Sequence, residues 1–337
     1  MSERQRLRRF LGAAWLLTGA TAALMEACRD AAVLSPADSS IAKPIGASPA
    51  PSFVPQIAFV STRDGSPYIY LASANGDVVR FAKGENPAWI FNGTQIAFNG
   101  VAADGKGQEL HVMRVDGAWE SLLPVSGSEP DWSPDGTSLL FAASGGIYSG
   151  ATGPLFAGSG GTGSPMGAGF GSTLLVPNDF VEPGDQLHRP RWSPDGRHIA
   201  FVRVSATQAR DIYVANADGS NPQRLVAGDG PRWSPDGSTI SFDLPQGVVA
   251  TVNLDGSNLR TRGAEGSSSQ VNNGDWSPDG RSLVFSQLAA PSATRVFILD
   301  IDSGALTQLI PDAGHAASAN YVDFEAVWLR PKSPWDY

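Results

Sequence analysis

The apolar positions of this chain fall into short alternating runs, and no helical stripe is evident after residue 28. In a run such as Ile199-Ala200-Phe201, alternation places Ile and Phe on one face, as in a β-strand that packs on one side. The Phe of the run lies nine positions after a Trp. This offset recurs in the pairs Trp89/Phe98, Trp132/Phe141, Trp192/Phe201, Trp233/Phe242 and Trp276/Phe285. The pattern predicts an all-β protein built from repeats.

A tight turn is predicted between the two strands of each pair. Four repeats carry Trp-Ser-Pro-Asp-Gly, at residues 132–136, 192–196, 233–237 and 276–280. Ser is typical of the first position of a type I turn, Pro presets the backbone angle of the second, and Asp and Gly complete it. Asp218-Gly219 and Asp255-Gly256 then predict a second hairpin, to a fourth strand. The predicted order, from the inside outwards, is Trp strand, Phe strand, Ile-Tyr-Val strand and Arg-Leu strand.

The first and the last repeat are each half of a unit. Phe59 has no Trp nine positions before it, and Trp328 has no Phe after it. Repeats of about 40–45 residues with four strands each are typical of propeller blades. We therefore predict a six-bladed β-propeller over residues 56–331, closed when the Trp328 strand joins the Phe59 strand. Its structural tryptophans are Trp89, Trp132, Trp192, Trp233, Trp276 and Trp328.

These motifs resemble those of a known family. Trp-Ser-Pro-Asp-Gly, then Ile-Ala-Phe, then Ile-Tyr-Val-Ala-Asn-Ala-Asp-Gly-Ser at 212–220, is similar to the repeat of the TolB-like, or WD-repeat-like, β-propellers. The resemblance covers residues 57–330 and implies a periplasmic protein that binds protein partners. The chain departs from TolB itself, which has a separate α/β domain before its propeller, because the residues before 57 are too few and too simple in composition to form one.

The first 28 residues are predicted to be a signal peptide. Four arginines precede an apolar stretch from Phe10 to Met25, which is shorter than the roughly 20 residues of a spanning helix. Cys28, the only cysteine, resembles the lipid-acceptor cysteine of bacterial lipoproteins, although Glu26 departs from that pattern. The alternative is ordinary secretion, with cleavage after Ala20-Thr21-Ala22. The expected location is the periplasm or the outer membrane, with a lipid anchor as the membrane contact, or else the exterior.

Residues 29–55 are rich in Ala, Pro and Ser and are predicted to be a flexible tether, and residues 332–337 a C-terminal tail. The net charge of the whole chain is −9. An acidic chain lacks the basic surface that nucleic-acid binding needs, so nucleic acid is excluded as a partner. The propeller is expected to be a monomer.

Two long segments interrupt the repeats, a Gly-rich insertion at 144–185 and extra residues at 310–324. Within the first, strands are predicted at Leu155 to Ala157 and at Ser172 to Val176. We call the rim that carries the loops before the Trp strands the loop rim, and the rim that carries the Ser-Pro-Asp-Gly turns the turn rim. Both long segments are expected on the loop rim, either as functional loops or as glycine loops without a role.

Candidate binding residues occupy the third position before each Trp, and we expect this ring near the mouth of the channel on the loop rim. One interpretation is a polar mouth that binds a peptide or small ligand, with His188 beside it, and the other is simple capping of loops. One position before each Trp, Asp131/Arg191 and Arg232/Asp275 predict either a charged channel lining or ion pairs between blades. The residues of the ring are Asn86, Glu129, Arg189, Gly230, Asn273 and Glu325.

No catalytic motif is evident. A Gly-x-Ser-x-Gly elbow is absent from the sequence, and the histidines lack the spacing of a zinc site. We therefore predict a non-catalytic module that binds an envelope protein or peptide without a metal or cofactor, with a single cation in the channel left open. The alternatives are a hydrolase or lyase that uses a channel site, and a glycan-binding or cell-wall-binding protein.

Overall fold

The computed structural model describes residues 54–101, 108–118, 120–152, 170–177, 182–244, 248–262, 272–290, 293–310 and 322–329, except for the side chains of residues 101, 272, 273 and 288–290. Over these residues the backbone forms six sheets of four antiparallel strands, with neighbours paired in sequence order in five of them. The predicted six-bladed all-β propeller is confirmed.

The strands of blades 1 to 3 are numbered in chain order. Blade 1 contains β1 (Ile57–Ser61), β2 (Tyr68–Ala72) and β3 (Val78–Lys83), blade 2 contains β4 (Glu85–Trp89), β5 (Gln95–Val101), β6 (Gln108–Arg114) and β7 (Glu120–Leu122), and blade 3 contains β8 (Ser128–Trp132), β9 (Ser138–Ala143), β10 (Gly146–Ala151) and β11 (Ser172–Val176).

Blades 4 to 6 continue the series, and the last strand returns to blade 1. Blade 4 contains β12 (Gln186–Trp192), β13 (His198–Val204), β14 (Arg210–Asn216) and β15 (Gln223–Ala227), blade 5 contains β16 (Asp229–Trp233), β17 (Thr239–Leu244), β18 (Val248–Asn253) and β19 (Arg260–Arg262), and blade 6 contains β20 (Asn272–Trp276), β21 (Ser282–Ala290), β22 (Ala293–Asp300) and β23 (Leu306–Gln308), followed by β24 (Asp323–Trp328).

The ring closes as the two half repeats predicted. Strand β24 pairs antiparallel with β1, with Ile57 opposite Trp328 and Ser61 opposite Asp323. The Asp323 side chain, 1% exposed, forms an ion pair at 3.0 Å with Arg63, just after β1. The Arg63 guanidinium also lies over the Tyr70 ring, 4.6 Å from its centroid. Polar and aromatic contacts therefore reinforce the junction between the two ends of the array.

The Ser-Pro-Asp-Gly turns are hydrogen-bonded β-turns with an additional side-chain bond. In blade 3, the Gly136 N–H donates to the Ser133 carbonyl at 2.9 Å, and Gly136 has φ +70°. The Ser133 hydroxyl donates to Asp135 Oδ1 at 2.6 Å and accepts from the Ser138 N–H at 2.9 Å. The same hydroxyl-to-carboxylate bond recurs in the other three copies. The turn is therefore set by its own sequence, as expected.

The core lies between adjacent blades, where the repeated aromatic residues meet. Trp233 and Phe242 of blade 5 pack against Ala200, Val202 and Ile212 of blade 4. Phe242 is fully buried and Trp233 is 2% exposed. Burial of each such side chain contributes about 2–3 kcal/mol relative to exposure. The repeat thus stabilises the ring by packing one blade onto the next.

One expectation about the insertions is wrong. Within 144–185, the structure forms β10 and β11, which confirms the strand predicted at Ser172 to Val176, whereas residues 155–157 lie outside the described residues. After β10, the Thr152 N–H donates to the Thr137 carbonyl at 2.8 Å, in the turn of the same blade. The extra residues between β10 and β11 therefore leave from the turn rim, because they join the third and fourth strands. Those between β23 and β24 join the blades at the loop rim, as expected.

Candidate functional site

The predicted ring of residues at the loop rim has an unusual backbone. The third residue before Trp adopts a left-handed conformation in five blades, with φ between +52° and +59°: Asn86, Glu129, Arg189, Gly230 and Glu325. Such angles are uncommon for Glu and Arg, and they cost on the order of 1–2 kcal/mol each. The pairing register of every inner strand shifts at the same place, so each inner strand has a bulge there.

In blades 2 to 5 the bulge frees a backbone N–H from the strand ladder, and a side chain accepts it. Glu325 Oε2 accepts the Asn86 N–H at 2.6 Å, and Glu129 Oε2 accepts the Arg189 N–H at 2.7 Å. Asn99 Oδ1 accepts the Glu129 N–H at 2.9 Å. All three bonds cross from one blade to the next. The capping interpretation is therefore correct for Glu129 and Glu325, which join neighbouring blades at the mouth.

Asn86, Gly230 and Asn273 contribute less to the mouth. Asn86 takes part through its backbone, and the Gly230 N–H is accepted by Asp229 Oδ1 at 2.8 Å. Asn273 lies in β20, as the repeat requires, but its side chain lies outside the described residues.

The more exposed groups of the mouth come together around blade 4. Arg189 is 28% exposed, and its Nε lies 3.6 Å from Glu129 Oε1 and 3.5 Å from Asp229 Oδ1. His188 Nδ1 lies 3.4 Å from Glu129 Oε2. Arg210 also pairs with Asp229. Three of the predicted residues, Glu129, His188 and Arg189, thus form one charged cluster.

A cavity of about 280 Å³ opens beside this cluster. Its walls come from the segment before the blade 4 inner strand and from the loop between the second and third strands of that blade, which are the two kinds of loop expected on this rim. The lining residues are Glu129, Gly184, Gln186, His188, Arg189, Val204, Ser205, Gln208 and Arg210. A charged cavity of this size, held by a rigid ring, suits recognition of a side chain or a small polar molecule.

The two glutamates of the mouth have opposite electrostatic surroundings. Burial raises the pKa of Glu129, but hydrogen bonds from His188 and the Arg189 N–H, with the Arg189 charge, outweigh it and hold that pKa below its usual value. Burial raises the pKa of Glu325 to about 7, opposed by the Asn86 N–H and reinforced by the nearby Glu85 charge. The Glu129 carboxyl is therefore ionised at neutral pH, whereas the Glu325 carboxyl titrates close to neutral pH.

Sequence reasoning missed two contributors, Asp229 and Arg210, which complete the cluster from blades 5 and 4. It also missed the left-handed backbone, although a weak signal exists. In blades 2 to 5 the left-handed residue precedes a proline, as in Glu129-Pro130 and Arg189-Pro190. A proline restricts the residue before it, but it does not specify a positive φ.

Other predicted features lie elsewhere. Over the described ranges, no three His, Cys, Asp or Glu side chains are grouped so as to hold a metal ion. The same ranges contain no helix long and apolar enough to cross a membrane. The predicted signal peptide with Cys28, the tether apart from its last two residues, and the tail lie outside the described residues.

Comparison with known proteins supports the assignment of the fold. A family model described as the TolB beta propeller domain matches residues 184–320. TolB from Acinetobacter baumannii superposes with a TM-score of 0.62 at 17% identity, covering 83% of this chain and 68% of that one. A putative TolB from Agrobacterium tumefaciens gives 0.51 at 20% identity, covering 76% and 89%. The resemblance to TolB-like propellers is confirmed.

The fold is also shared with hydrazine synthase. Kuenenia stuttgartiensis hydrazine synthase superposes with a TM-score of 0.61 at 15% identity, covering 84% of this chain and 48% of that one. No curated protein matches the sequence. At these identities the likeness shows the fold alone, so function must be argued from the site.

Proposed function

We propose that this TolB-like β-propeller is an exported, non-catalytic protein that binds an envelope protein or peptide at its loop rim. The observation that carries the proposal is the 280 Å³ cavity beside Glu129, His188 and Arg189. The cavity offers charges of both signs on rigid inner strands, so a polar side chain of a partner finds both donors and acceptors there without a loop having to become ordered. Binding in a preorganised site avoids much of the entropic cost of association.

Arg189 is the residue on which specificity is expected to depend. Its left-handed backbone directs a partly exposed guanidinium between Glu129 and Asp229, which limit its movement. An arginine held in this way presents its planar guanidinium in a defined direction, which suits a carboxylate or carbonyl of a partner. Glu129 and Glu325 have the supporting role, because each caps a neighbouring blade.

The test is capture of partners from a cell-envelope extract with the full chain as bait. Arg189→Ala removes one positive charge from the mouth. Arg197→Ala removes one positive charge from an exposed position on the turn rim. We expect one or a few proteins to be retained by the wild type and by Arg197→Ala but lost with Arg189→Ala. Equal retention by both variants, or none by the wild type, would contradict the proposal.

The location of the protein is part of the same proposal. The resemblance to TolB-like proteins and the signal-like residues 1–28 support export, and Cys28 followed by the Ala-, Pro- and Ser-rich residues 29–55 supports a lipid anchor with a flexible tether. We expect Cys28→Ser to move the protein from the membrane fraction to the soluble envelope fraction. An unchanged distribution between the two fractions would contradict lipid anchoring and favour ordinary secretion.

A second candidate function is hydrolysis or elimination at the mouth, and one observation favours it. A carboxyl group with a pKa of about 7, such as that of Glu325, suits a general acid or base at neutral pH. The measurement is turnover of lactone, ester and uronate substrates by the wild type and by Glu325→Gln. Activity that depends on Glu325 would favour an enzyme, and absence of turnover in the wild type would count against one.

A further inference from the structure

A second cavity lies at the opposite end of the channel. It measures about 160 Å³, and it extends from buried residues of the inner strands to the half-exposed prolines of the turns. The tryptophans and prolines of the repeat make most of its wall, including Trp89, Trp132, Trp233, Trp276, Trp328, Pro134, Pro194, Pro235 and Pro278. The repeat motif therefore builds an apolar chamber on the turn rim as well as a stack of blades.

Four charged side chains lie in this apolar wall, and three of them form hydrogen bonds to the neighbouring blade. Asp131 Oδ2 accepts the Trp192 N–H at 2.7 Å, and Asp275 Oδ2 accepts the Trp328 N–H at 2.8 Å. Arg191 Nη1 donates to the Glu129 carbonyl of the preceding blade at 3.4 Å. The sequence left open whether these residues line the channel or connect neighbouring blades. In the structure their side chains do both.

Arg232 is the fourth, and its surroundings differ. It is 4% exposed, and its Nε lies 3.8 Å from Asp275 Oδ1, beyond hydrogen-bond distance. Among the described residues, Nε and Nη1 are buried without a hydrogen-bond acceptor. A buried donor without an acceptor costs about 1–3 kcal/mol, and more when it carries a charge. The wall of the chamber thus contains a cation that pairs with Asp275 of the next blade, while its Nε and Nη1 lack a hydrogen-bond acceptor among the described residues.

One indole N–H of the chamber wall bonds to the neighbouring blade. Trp233 Nε1 donates to the Arg191 carbonyl of the preceding blade at 3.2 Å. This bond ties the Trp233 indole to the packing between blades 4 and 5.

We propose that the turn-rim chamber is a binding site for a small apolar monocarboxylate, with the carboxylate on Arg232 and the apolar body among the Trp and Pro side chains. A guanidinium binds a carboxylate with two parallel hydrogen bonds. An apolar cavity of about 150 Å³ accommodates benzene, so about 160 Å³ suits a body of that size. This site lies at the other end of the channel from the partner-binding rim and goes beyond the proposed function.

The charges of the chamber also limit the ligand. Asp131 and Asp275 each use one oxygen on a neighbouring backbone N–H, and both lie in the same wall as Arg232. A dicarboxylate would bring a second negative charge near these aspartates, which is unfavourable in a buried site. One carboxylate on an apolar body is therefore the chemistry that the chamber fits.

The test is titration of the full chain with benzoate, followed by calorimetry and by the fluorescence of the chamber tryptophans. Benzyl alcohol, with a ring but no charge, and acetate, with a charge but no ring, are the matched ligands. We expect benzoate to bind at least about tenfold more tightly than either. Benzoate binding that is absent, or no tighter than that of benzyl alcohol, would overturn the proposal.

Variants then locate the site. Arg232→Met is expected to weaken benzoate binding by at least about tenfold, and Arg197→Met, an exposed change on the same rim, to leave it unchanged. Arg232→Lys keeps the charge and serves if Arg232→Met does not fold, with an expected loss of several fold, because Lys cannot make the bidentate pair. Unchanged binding in a folded Arg232 variant would overturn the proposal.

Discussion

Glu325 and Glu129 occupy the same position in two blades, yet their contributions to stability are expected to have opposite dependence on pH. The folded pKa of Glu325 is raised from 4.5 to about 7. At about 1.4 kcal/mol per tenfold change in proton affinity, full ionisation of Glu325 lowers the free energy of unfolding by at most roughly 3 kcal/mol. The penalty is absent below pH 4.5, where the carboxyl is protonated in both states, grows as the pH rises, and is complete above about 7.

Glu325→Gln removes the charge and keeps an oxygen that can accept the Asn86 N–H. We therefore expect this variant to match the wild type near pH 4 and to exceed its free energy of unfolding by up to roughly 3 kcal/mol at pH 8. The measurement is urea unfolding, followed by tryptophan fluorescence, at intervals between pH 4 and 8.5.

Glu129→Gln is the matched control. The folded pKa of Glu129 lies below its usual value, so its ionised form stabilises the protein above the unfolded pKa, and this contribution is lost as the pH falls through the folded pKa. Glu129→Gln should therefore be less stable than the wild type at pH 7, with a difference that shrinks in acid. The same sign of pH dependence in the two variants, or no pH dependence for Glu325→Gln, would refute the electrostatic reasoning.

Two further predictions concern the ring itself, and urea unfolding measures both. Asp323→Ala leaves the Arg63 guanidinium without its buried partner at 3.0 Å and is expected to cost about 3 kcal/mol, whereas Arg80→Ala, in an ion pair about 40% exposed on both sides, should cost about 1 kcal/mol or less. Equal costs would contradict the role given to the closing ion pair. Gly219→Ala places a Cβ 2.2 Å from the Leu175 carbonyl oxygen at φ +81° and should cost more than about 2 kcal/mol, whereas Gly256→Ala, at φ +79° with open space around it, should cost only about 1 kcal/mol.

The repeats made the fold predictable, because each blade carries the same sequence signals for its turns and strands. The turn glycines, the alternation after each Trp and the half repeats at Phe59 and Trp328 all depend on neighbours in sequence or on a constant offset. Because the signals recur in every blade, a strand that is ambiguous in one repeat can be assigned from the others. Ring closure then follows from the two half repeats at the ends.

The site was predictable only in part. Glu129 and Arg189 were expected at one height in the ring, because both lie three positions before Trp, and His188 directly precedes Arg189. Asp229 and Arg210 were missed, because their contribution depends on the bulge that rotates the inner strand, and Glu and Arg carry no sequence signal for a positive φ. The turn-rim chamber was missed for a related reason. Its volume depends on how far six inner strands stand from the channel axis, which no single repeat encodes.

The pairing of β1 with β24 has a consequence for how the chain folds. Ser61 and Asp323 lie 262 positions apart in the sequence, so blade 1 lacks its inner strand until nearly the whole chain has emerged. During that time β1, whose five residues are all buried in the finished ring, has an open hydrogen-bonding edge. Contacts between such distant residues form slowly, and an apolar open edge can pair with other chains. Closure is therefore expected to be a late, slow step, and the interval before it to be the period when the chain is most prone to aggregate.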